Sequence, residues 1–523
     1  MQDDSEERYD ELPYPTLLHH FTHPDTLRST AHLFGLGTAP VSRCRVLELG
    51  CGPGTNLIGM AAGLPGSEFV GVDISASHID EARSWVQDMG LGNVRFDKRR
   101  LEDLQADEGP FDYIIAHGVY SWVPADVQDH VLRICSELLD PSGVAYVSYN
   151  TLPGWYVRRG FREMMLRHAS KAKGALAEAV AARELVEFLA EANDSRKTAW
   201  ALVIQAEQAT IGDKPDNYLA HDHLSPCNEP VYFADFAQRA AQHGLRYLAE
   251  AEPADNWMSM YPPKIDQAIE RMADSRIGRE EYRDLVVGRS FRRTLLCHRD
   301  RELDEQPHYE RITDFHITSR VMAEQDLPDL DPTVDQSFRG RDNTITTSDP
   351  VVKAAMWTMA MYYPEDLPFD ELWDISRTQV EKAGHAIDPE HRDTLAQFLF
   401  YWMQRGGLEL CMRRRPINRI PSERPRSPGL SKLQIERKAS YFGNLRHEIV
   451  LVEEMELAVI SLADGTRTLD DMAQALAARA QKGELRVTRN EQEVTDPDML
   501  VEVFREEARK TLAMLARKSL LVA

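Results

Sequence analysis

The chain has 523 residues, three to four times the roughly 150 that fill an average domain, so several separate cores are expected. With 84 acidic against 61 basic residues the formal charge is −23, and 43% of residues are hydrophobic; this balance excludes a disordered chain and disfavours nucleic acid, whose phosphates want a basic face. The six cysteines (Cys44, Cys51, Cys135, Cys227, Cys297 and Cys411) form no C-x-x-C pair, which excludes a zinc ribbon, a thioredoxin motif or a radical-enzyme cluster and points to a reducing compartment.

Met1 to Asp10 carries five acidic side chains and no apolar run, so no secretory signal is expected. No stretch reaches the about 18 consecutive apolar residues of a membrane span, and the expected location is the cytoplasm without membrane insertion. Across residues 45–149 short apolar runs alternate with helical patterns, the order that builds a parallel sheet covered on both faces. Strands are predicted at 45–49, 68–72, 93–96, 112–116 and 144–149, with helices at 56–62, 77–89 and 124–139.

Between Pro153 and Pro215 there is no proline, and residues 161–208 show helical apolar spacing at Phe161, Met164 and Met165 and at Leu185, Phe188 and Leu189. Asn193, Asp194 and Ser195 break this stretch into two long helices. A helix at 232–242 then leads to strand-like runs at 245–249 and 291–297, which read as the last strands of the same sheet. The helical hairpin is thereby an insertion, suited by its apolar stripe to dimerisation or to roofing an acceptor pocket.

The last third repeats itself weakly, with Phe369 to Leu372 (FDEL) matched by Leu469 to Met472 (LDDM), and Met403 to Leu408 by Leu515 to Leu520. Each unit reads as helices followed by a short strand, a winged-helix-like pattern. Between them, residues 413–438 hold several prolines and nine Lys or Arg against two Glu, the composition of a flexible linker. Residues 439–523 hold 15 acidic and 11 basic side chains, so a DNA-reading face is not expected and docking of a protein is.

The strongest chemical signal is Val46-Leu-Glu-Leu-Gly-Cys-Gly-Pro-Gly-Thr55, an apolar strand running into Gly50, Gly52 and Gly54 and then a helix that begins near Asn56. Glycines there permit positive φ and let a ligand lie against bare backbone. A dinucleotide fingerprint needs a sixth-position glycine where Thr55 stands, and the G-K-[ST] ending of a P-loop is absent. Glu48 would repel a diphosphate but suits a cationic amine. Asp73, followed by Ile74 at the end of the second strand, can accept both hydroxyls of a ribose, and Leu101 and Glu102 are placed to meet an adenine edge. These features describe a site for S-adenosylmethionine, a nucleoside joined to an amino acid without phosphate.

The motif resembles the E-x-G-x-G-x-G of class I methyltransferases, an α/β fold with a Rossmann-like seven-stranded sheet whose last strand is antiparallel. Tyr9 to Pro15, Thr22 to Asp25, His117-Gly-Val-Tyr-Ser-Trp122 and Tyr149-Asn-Thr-Leu-Pro-Gly-Trp155 further resemble bacterial methyltransferases with a regulatory domain, including rickettsial lysine methyltransferases of outer-membrane protein B. The resemblance spans nearly the whole chain. It implies lysine N-methylation of a protein, a homodimer, and a lid over the cofactor formed by the N-terminal segment with Tyr14.

Methyl transfer from a sulfonium is an in-line displacement in which positioning carries most of the catalysis. Tyr120 and Trp122, after the fourth strand, and Asn150 and Trp155, after the fifth, emerge at the carboxyl edge where open α/β sheets bind ligands. Tyr120 and Trp122 are expected as acceptor walls and Asn150 as the group that orients the amine; packing beneath the inserted helices is the competing role for Trp122 and Trp155. His117 is expected to contact the methionine moiety. His19 and His23 have metal-ligand spacing, but Pro24 follows and no acidic third ligand stands near, so no metal is expected. The fourth-strand segment lacks (N/D)-P-P-Y, which argues against a nucleobase acceptor. Methylation of a small molecule, or a non-catalytic S-adenosylmethionine-binding regulator acting through the winged-helix units, are the other readings.

The expected layout is an N-terminal lid segment at 1–40, a methyltransferase core at 41–155, the helical insertion at 156–215 and completion of the sheet at 216–300. A middle winged-helix-like unit at 301–412, the linker at 413–438 and a final winged-helix-like unit at 439–523 follow.

Overall fold

The structure, a computed structural model, describes residues 17–257, 261–325, 327–341, 343–439, 441–485, 488–489, 492–493 and 496–523. Tyr14 and the segment Tyr9 to Pro15 lie outside the described residues. The chain divides into two compact units, the first of which takes in residues 34–252 and 261–305.

That unit is built on a seven-stranded sheet: β1 Arg45–Leu49, β2 Glu68–Asp73, β3 Val94–Lys98, β4 Phe111–Ala116, β5 Leu139–Asn150, β6 Leu245–Glu250 and β7 Phe291–His298. The spatial order is β3-β2-β1-β4-β5-β7-β6, with β7 antiparallel to both its neighbours and the pairs among β1 to β5 parallel. β1 is buried from Val46 to Leu49, as a strand covered on both faces must be. Helices α1 Thr55–Gly63, α2 Ala76–Met89 and α3 Ala125–Glu137 connect the parallel strands. The chain leaves β1 for β2 and returns on its other side as β4, which opens a crevice at the strands' carboxyl edge. Because β7 runs against β5, with Asn150 opposite Phe291, the start of β7 reaches that same edge.

The insertion holds three long helices where apolar spacing predicts two: α4 Trp155–Ala169, α5 Ala175–Asn193 and α6 Ala199–Ile211. The extra break falls at Gly174, whose φ of +91° no helix accommodates. A short helix, α7 Asp216–Asp222, follows, and then α8 Phe233–Gln242. Helices α9 Pro263–Met272 and α10 Arg276–Val287 link β6 to β7. There a fully buried Arg292 donates to Glu250 at 2.6 Å and to Asp284 at 2.8 Å, and reaches Glu280 at 3.2 Å. Its guanidinium also stacks over the Phe233 ring at 3.8 Å, so one cation ties β7 to β6, α8 and α10.

The second unit comprises residues 18–33, 253–257 and the described part of 306–523. Its first half carries strands β8 His316–Thr318, β9 Leu367–Pro368 and β10 Glu409–Cys411 in the order β9-β8-β10, with helices α11 Pro350–Tyr362, α12 Phe369–Lys382 and α13 Glu390–Gln404. Its second half carries α14 Gly429–Glu436, α15 Glu454–Leu462, α16 Leu469–Gln481 and α17 Pro497–Arg517. The sequence repeat marks equivalent places, because Phe369 and Leu469 open α12 and α16, and the second pair of matches falls where α13 and α17 end.

Two expectations are corrected in this unit. Residues 413–438 are not a loose linker: Arg415 is bound to the buried Asp366, Ile417 bridges Val522, Arg426 bridges Asp464 and Val522, and α14 lies within the segment. Its basic residues are in part counter-ions of buried carboxylates, which composition cannot distinguish from solvated charge. Residues 18–33, expected within a lid, belong to this unit, where the helix Pro24–Leu33 buries Leu27, Ala31 and Leu33 and Asp25 accepts the Met412 N–H at 3.1 Å.

Candidate active site

The turn after β1 owes its shape to three glycines at φ +66°, +53° and +75° for Gly50, Gly52 and Gly54. A Cβ on Gly50 would lie 2.6 Å from Val119, and one on Gly54 would lie 2.5 Å from the Phe96 ring, so both are also packing requirements. A Cβ on Gly52 meets no described residue within 4 Å, and there the backbone is bare.

Two carboxylates flank the turn. Glu48, 5% exposed, accepts from Asn56 Nδ2 at 2.7 Å through Oε1, while its Oε2 is buried with no donor among the described residues. Burial pushes the Glu48 carboxyl up to about 8 against the effect of the Asn56 hydrogen bond, with the Asp73 charge adding to the rise. Asn56, expected at the cofactor, holds the Glu48 carboxyl in this arrangement. Asp73 accepts the Gly52 N–H at 2.9 Å on one oxygen and the Ser75 N–H at 2.9 Å on the other, which fixes the carboxylate and leaves a lone pair on each oxygen. His78 of α2 stands 3.6 Å from Asp73, a support that Ser75, the N-cap of α2, hints at in the sequence. Ile74 is half-buried after β2; Leu101 is buried and Glu102 half-buried in the short turn after β3. These residues fit the S-adenosylmethionine that the motif implies: an orphaned buried carboxylate oxygen awaits a cation, an anchored carboxylate retains acceptors, and a Cβ-free surface lies between them.

The residues expected on the acceptor side come from more distant parts. His117, after β4, is within 3.0 Å of the Tyr146 hydroxyl and 3.1 Å of Ser148 Oγ, with the Phe291 ring edge-on at 6.2 Å. Trp122 is half-buried and meets the buried Trp155 edge to face at 6.5 Å. Asn150 is buried; its N–H donates to Ser121 Oγ at 2.8 Å and its Nδ2 to Asn228 Oδ1 at 3.2 Å. Tyr120 is placed differently from its expected role as an acceptor wall. It is 0% exposed, packed against Tyr149 and Phe236, because the short helix Tyr120–Trp122 turns its ring into the core and Trp122 outward. Asn228 and Phe291, which sequence reasoning did not single out, stand against Asn150 and His117 respectively. The Tyr232 hydroxyl lies 3.0 Å from that of the exposed Tyr156. Among the described residues no group of three or more His, Cys, Asp or Glu side chains is arranged to hold a metal, and His23 Nδ1 accepts the Asp25 N–H.

This sheet order and this turn define a class I S-adenosylmethionine-dependent methyltransferase. Residues 46–143 match a family described as methyltransferase domain, 215–298 one described as predicted methyltransferase regulatory domain, and 423–520 one described as PKMT, C-terminal winged helix domain. Uncharacterized protein RP789 of Rickettsia prowazekii is 32% identical over 97% of this chain and 91% of its own length; RP028 of the same organism is 36% identical over 46% of this chain and 96% of its own length. The structure of PKMT2 from Rickettsia typhi in complex with AdoHcy is similar at a TM-score of 0.89 and 28% identity, covering 98% of this chain and 100% of that one. The chain belongs to the family of these proteins, class I methyltransferases with a regulatory segment and a PKMT-type C-terminal winged-helix domain. It is an enzyme, and S-adenosylmethionine is its methyl donor.

Proposed function

We propose that the enzyme methylates the ε-amine of lysine side chains in a protein, with an outer-membrane or surface protein met before export as the substrate. The observations that support this reading are the aromatic pairs Trp122–Trp155 and Tyr156–Tyr232 on the segments that follow β4 and β5, and Phe291 opposite Asn150 in the β5–β7 pairing, side chains that suit a long aliphatic stem ending in an amine. The name PKMT, protein lysine methyltransferase, on both the matched winged-helix family and the solved relative points the same way. When bound, the donor's sulfonium supplies an electrophilic methyl carbon. The chain's residues have two tasks: Glu48 and Asp73 hold the donor, and the aromatic walls strip water from the acceptor. Deprotonating a lysine at pH 7 costs about 4.6 kcal/mol from its ordinary pKa, and desolvation beside a cation lowers that cost without a strong base. The amine lone pair forms the new N–C bond as the S–C bond breaks, and the proton leaves to solvent.

The enzyme acts in this reading as a cytoplasmic homodimer. Exposed apolar side chains on the inserted helices, Leu176, Val180 and Phe188 of α5 and Trp200 and Leu202 of α6, offer surface for a second copy to cover, and all six cysteines are free thiols. No helix among the described residues is long and apolar enough to cross a membrane. Incubation with methyl-labelled donor and candidate surface proteins tests the assignment: label on lysine supports it, and label confined to small solutes overturns it.

A further inference from the structure

The segment matched by the regulatory-domain family begins before β6 and ends with β7, yet the stretch that follows α7 does not stay on the sheet's far edge. Residues 225–231 form a strap across the ends of β4 and β5. The Glu229 N–H donates to Ser121 O at 2.9 Å, the Val231 N–H donates to Asn150 O at 3.1 Å, and Val231 O accepts from the Leu152 N–H at 3.1 Å and Thr151 Oγ1 at 2.8 Å. Thr151 and Val231 thereby make a parallel bridge, and the Arg162 guanidinium of α4 donates to Ser225 O. The strap is thus stitched to the backbone that carries Trp122 and Asn150.

Asn228 sits at the centre of this strap and receives Asn150 Nδ2 at 3.2 Å. An amide that gives its NH2 to one side presents its carbonyl to the other, and no described group donates to Asn150 Oδ1. An amine losing its proton needs an acceptor rather than a donor beside it. We propose that the regulatory segment is part of the acceptor site, and that Asn228 is its positioning residue: it locks the Asn150 amide with Oδ1 toward the incoming amine. The inference rests on the reading of this site as an amine-methylating one. It gives the matched segment a direct chemical task, since Asn228, Tyr232 and Phe291, three members of the acceptor side, all come from it.

The test measures methyl transfer from labelled S-adenosylmethionine to a pool of synthetic peptides, each with one central lysine, using the full-length enzyme. Asn228→Ala lets the Asn150 amide rotate; kcat falls on the order of thirtyfold while the dissociation constant for S-adenosylhomocysteine changes less than about twofold. Asn228→Asp can only accept, fixes Asn150 in the same sense, and restores kcat to within about threefold of wild type. Equal kcat in wild type and Asn228→Ala, or an Asn228→Asp variant as slow as Asn228→Ala, overturns the inference. Should Asn228→Ala lose cofactor binding through misfolding, the Asn228→Asp result alone decides. Failure of the underlying reading looks different: wild type labels no lysine, or Asn150→Ala transfers methyl groups as fast as wild type.

Discussion

Glu48 allows the cofactor site to be tested by counting protons. Burial holds its carboxyl near a pKa of about 8, so at pH 7 about nine-tenths of the free protein carries the proton there. An ammonium brought to the orphaned Oε2 stabilises the carboxylate, returns its pKa toward the ordinary 4.5 and so expels about 0.9 proton at pH 7. Below pH 8 the affinity then rises about tenfold per pH unit. S-adenosylhomocysteine is the appropriate titrant, because its amine lacks the sulfonium neighbour that depresses the amine pKa of the methyl donor. Calorimetry in two buffers of equal pH and different ionisation enthalpy reads the proton count. Glu48→Gln abolishes the release and at pH 8.5 weakens binding by about 1.5 to 3 kcal/mol, the worth of a hydrogen bond to a charged group. Without ligand the effect on stability has the opposite sign. A carboxyl whose folded pKa lies above its ordinary 4.5 favours the fold at low pH, and that contribution is lost as pH rises toward 8, so Glu48→Gln melts above wild type at pH 8.5. A proton count near zero at pH 7, with affinity flat from pH 6 to 8, refutes the reasoning.

The glycines separate fold from function. Gly52→Ala costs about 1 kcal/mol from its positive φ but abolishes calorimetric binding of S-adenosylhomocysteine, whereas Gly54→Ala forces a Cβ against Phe96 and Ala82 and lowers the melting temperature as well. Arg292→Met strands Glu250, Asp284 and Glu280 without their common cation and destabilises the sheet-containing unit by about 3 to 5 kcal/mol in urea titration. Asp366→Asn has a similar cost in the other unit, read by thermal melting, because Arg415 and Arg446 lose their buried partner. Burial alone would raise the Asp366 carboxyl, but those two arginines outweigh it and hold the group below the ordinary 3.8. The stability it contributes is therefore present above pH 4 and is lost as pH falls further, which circular dichroism of the wild type between pH 5 and 2 checks.

What the sequence made legible was local. A strand, a glycine turn and a helix lie within residues 45–63, and the physics that joins them acts over a few residues, so β1 and α1 form where the motif implies. The antiparallel β7 followed from the family resemblance. The misplaced elements depend on long-range contacts. Tyr120 and Trp122 have the same propensity for a pocket wall, and only the packing of Phe236, more than a hundred residues away, decides which of them is core. Asn150 and Asn228 stand 78 positions apart, with no periodicity to join them. The 413–438 segment is basic like a linker, and its order arises from carboxylates such as Asp366 that no local pattern pairs with it.

The most direct test of the central claim is mass spectrometry of purified surface proteins incubated with the enzyme and S-adenosylmethionine. The account predicts methyl groups on lysine Nζ atoms, absent when Glu48→Gln replaces the wild type under conditions where its cofactor affinity is lost. Methylation of any other atom class, or none with S-adenosylhomocysteine failing to bind, would contradict it.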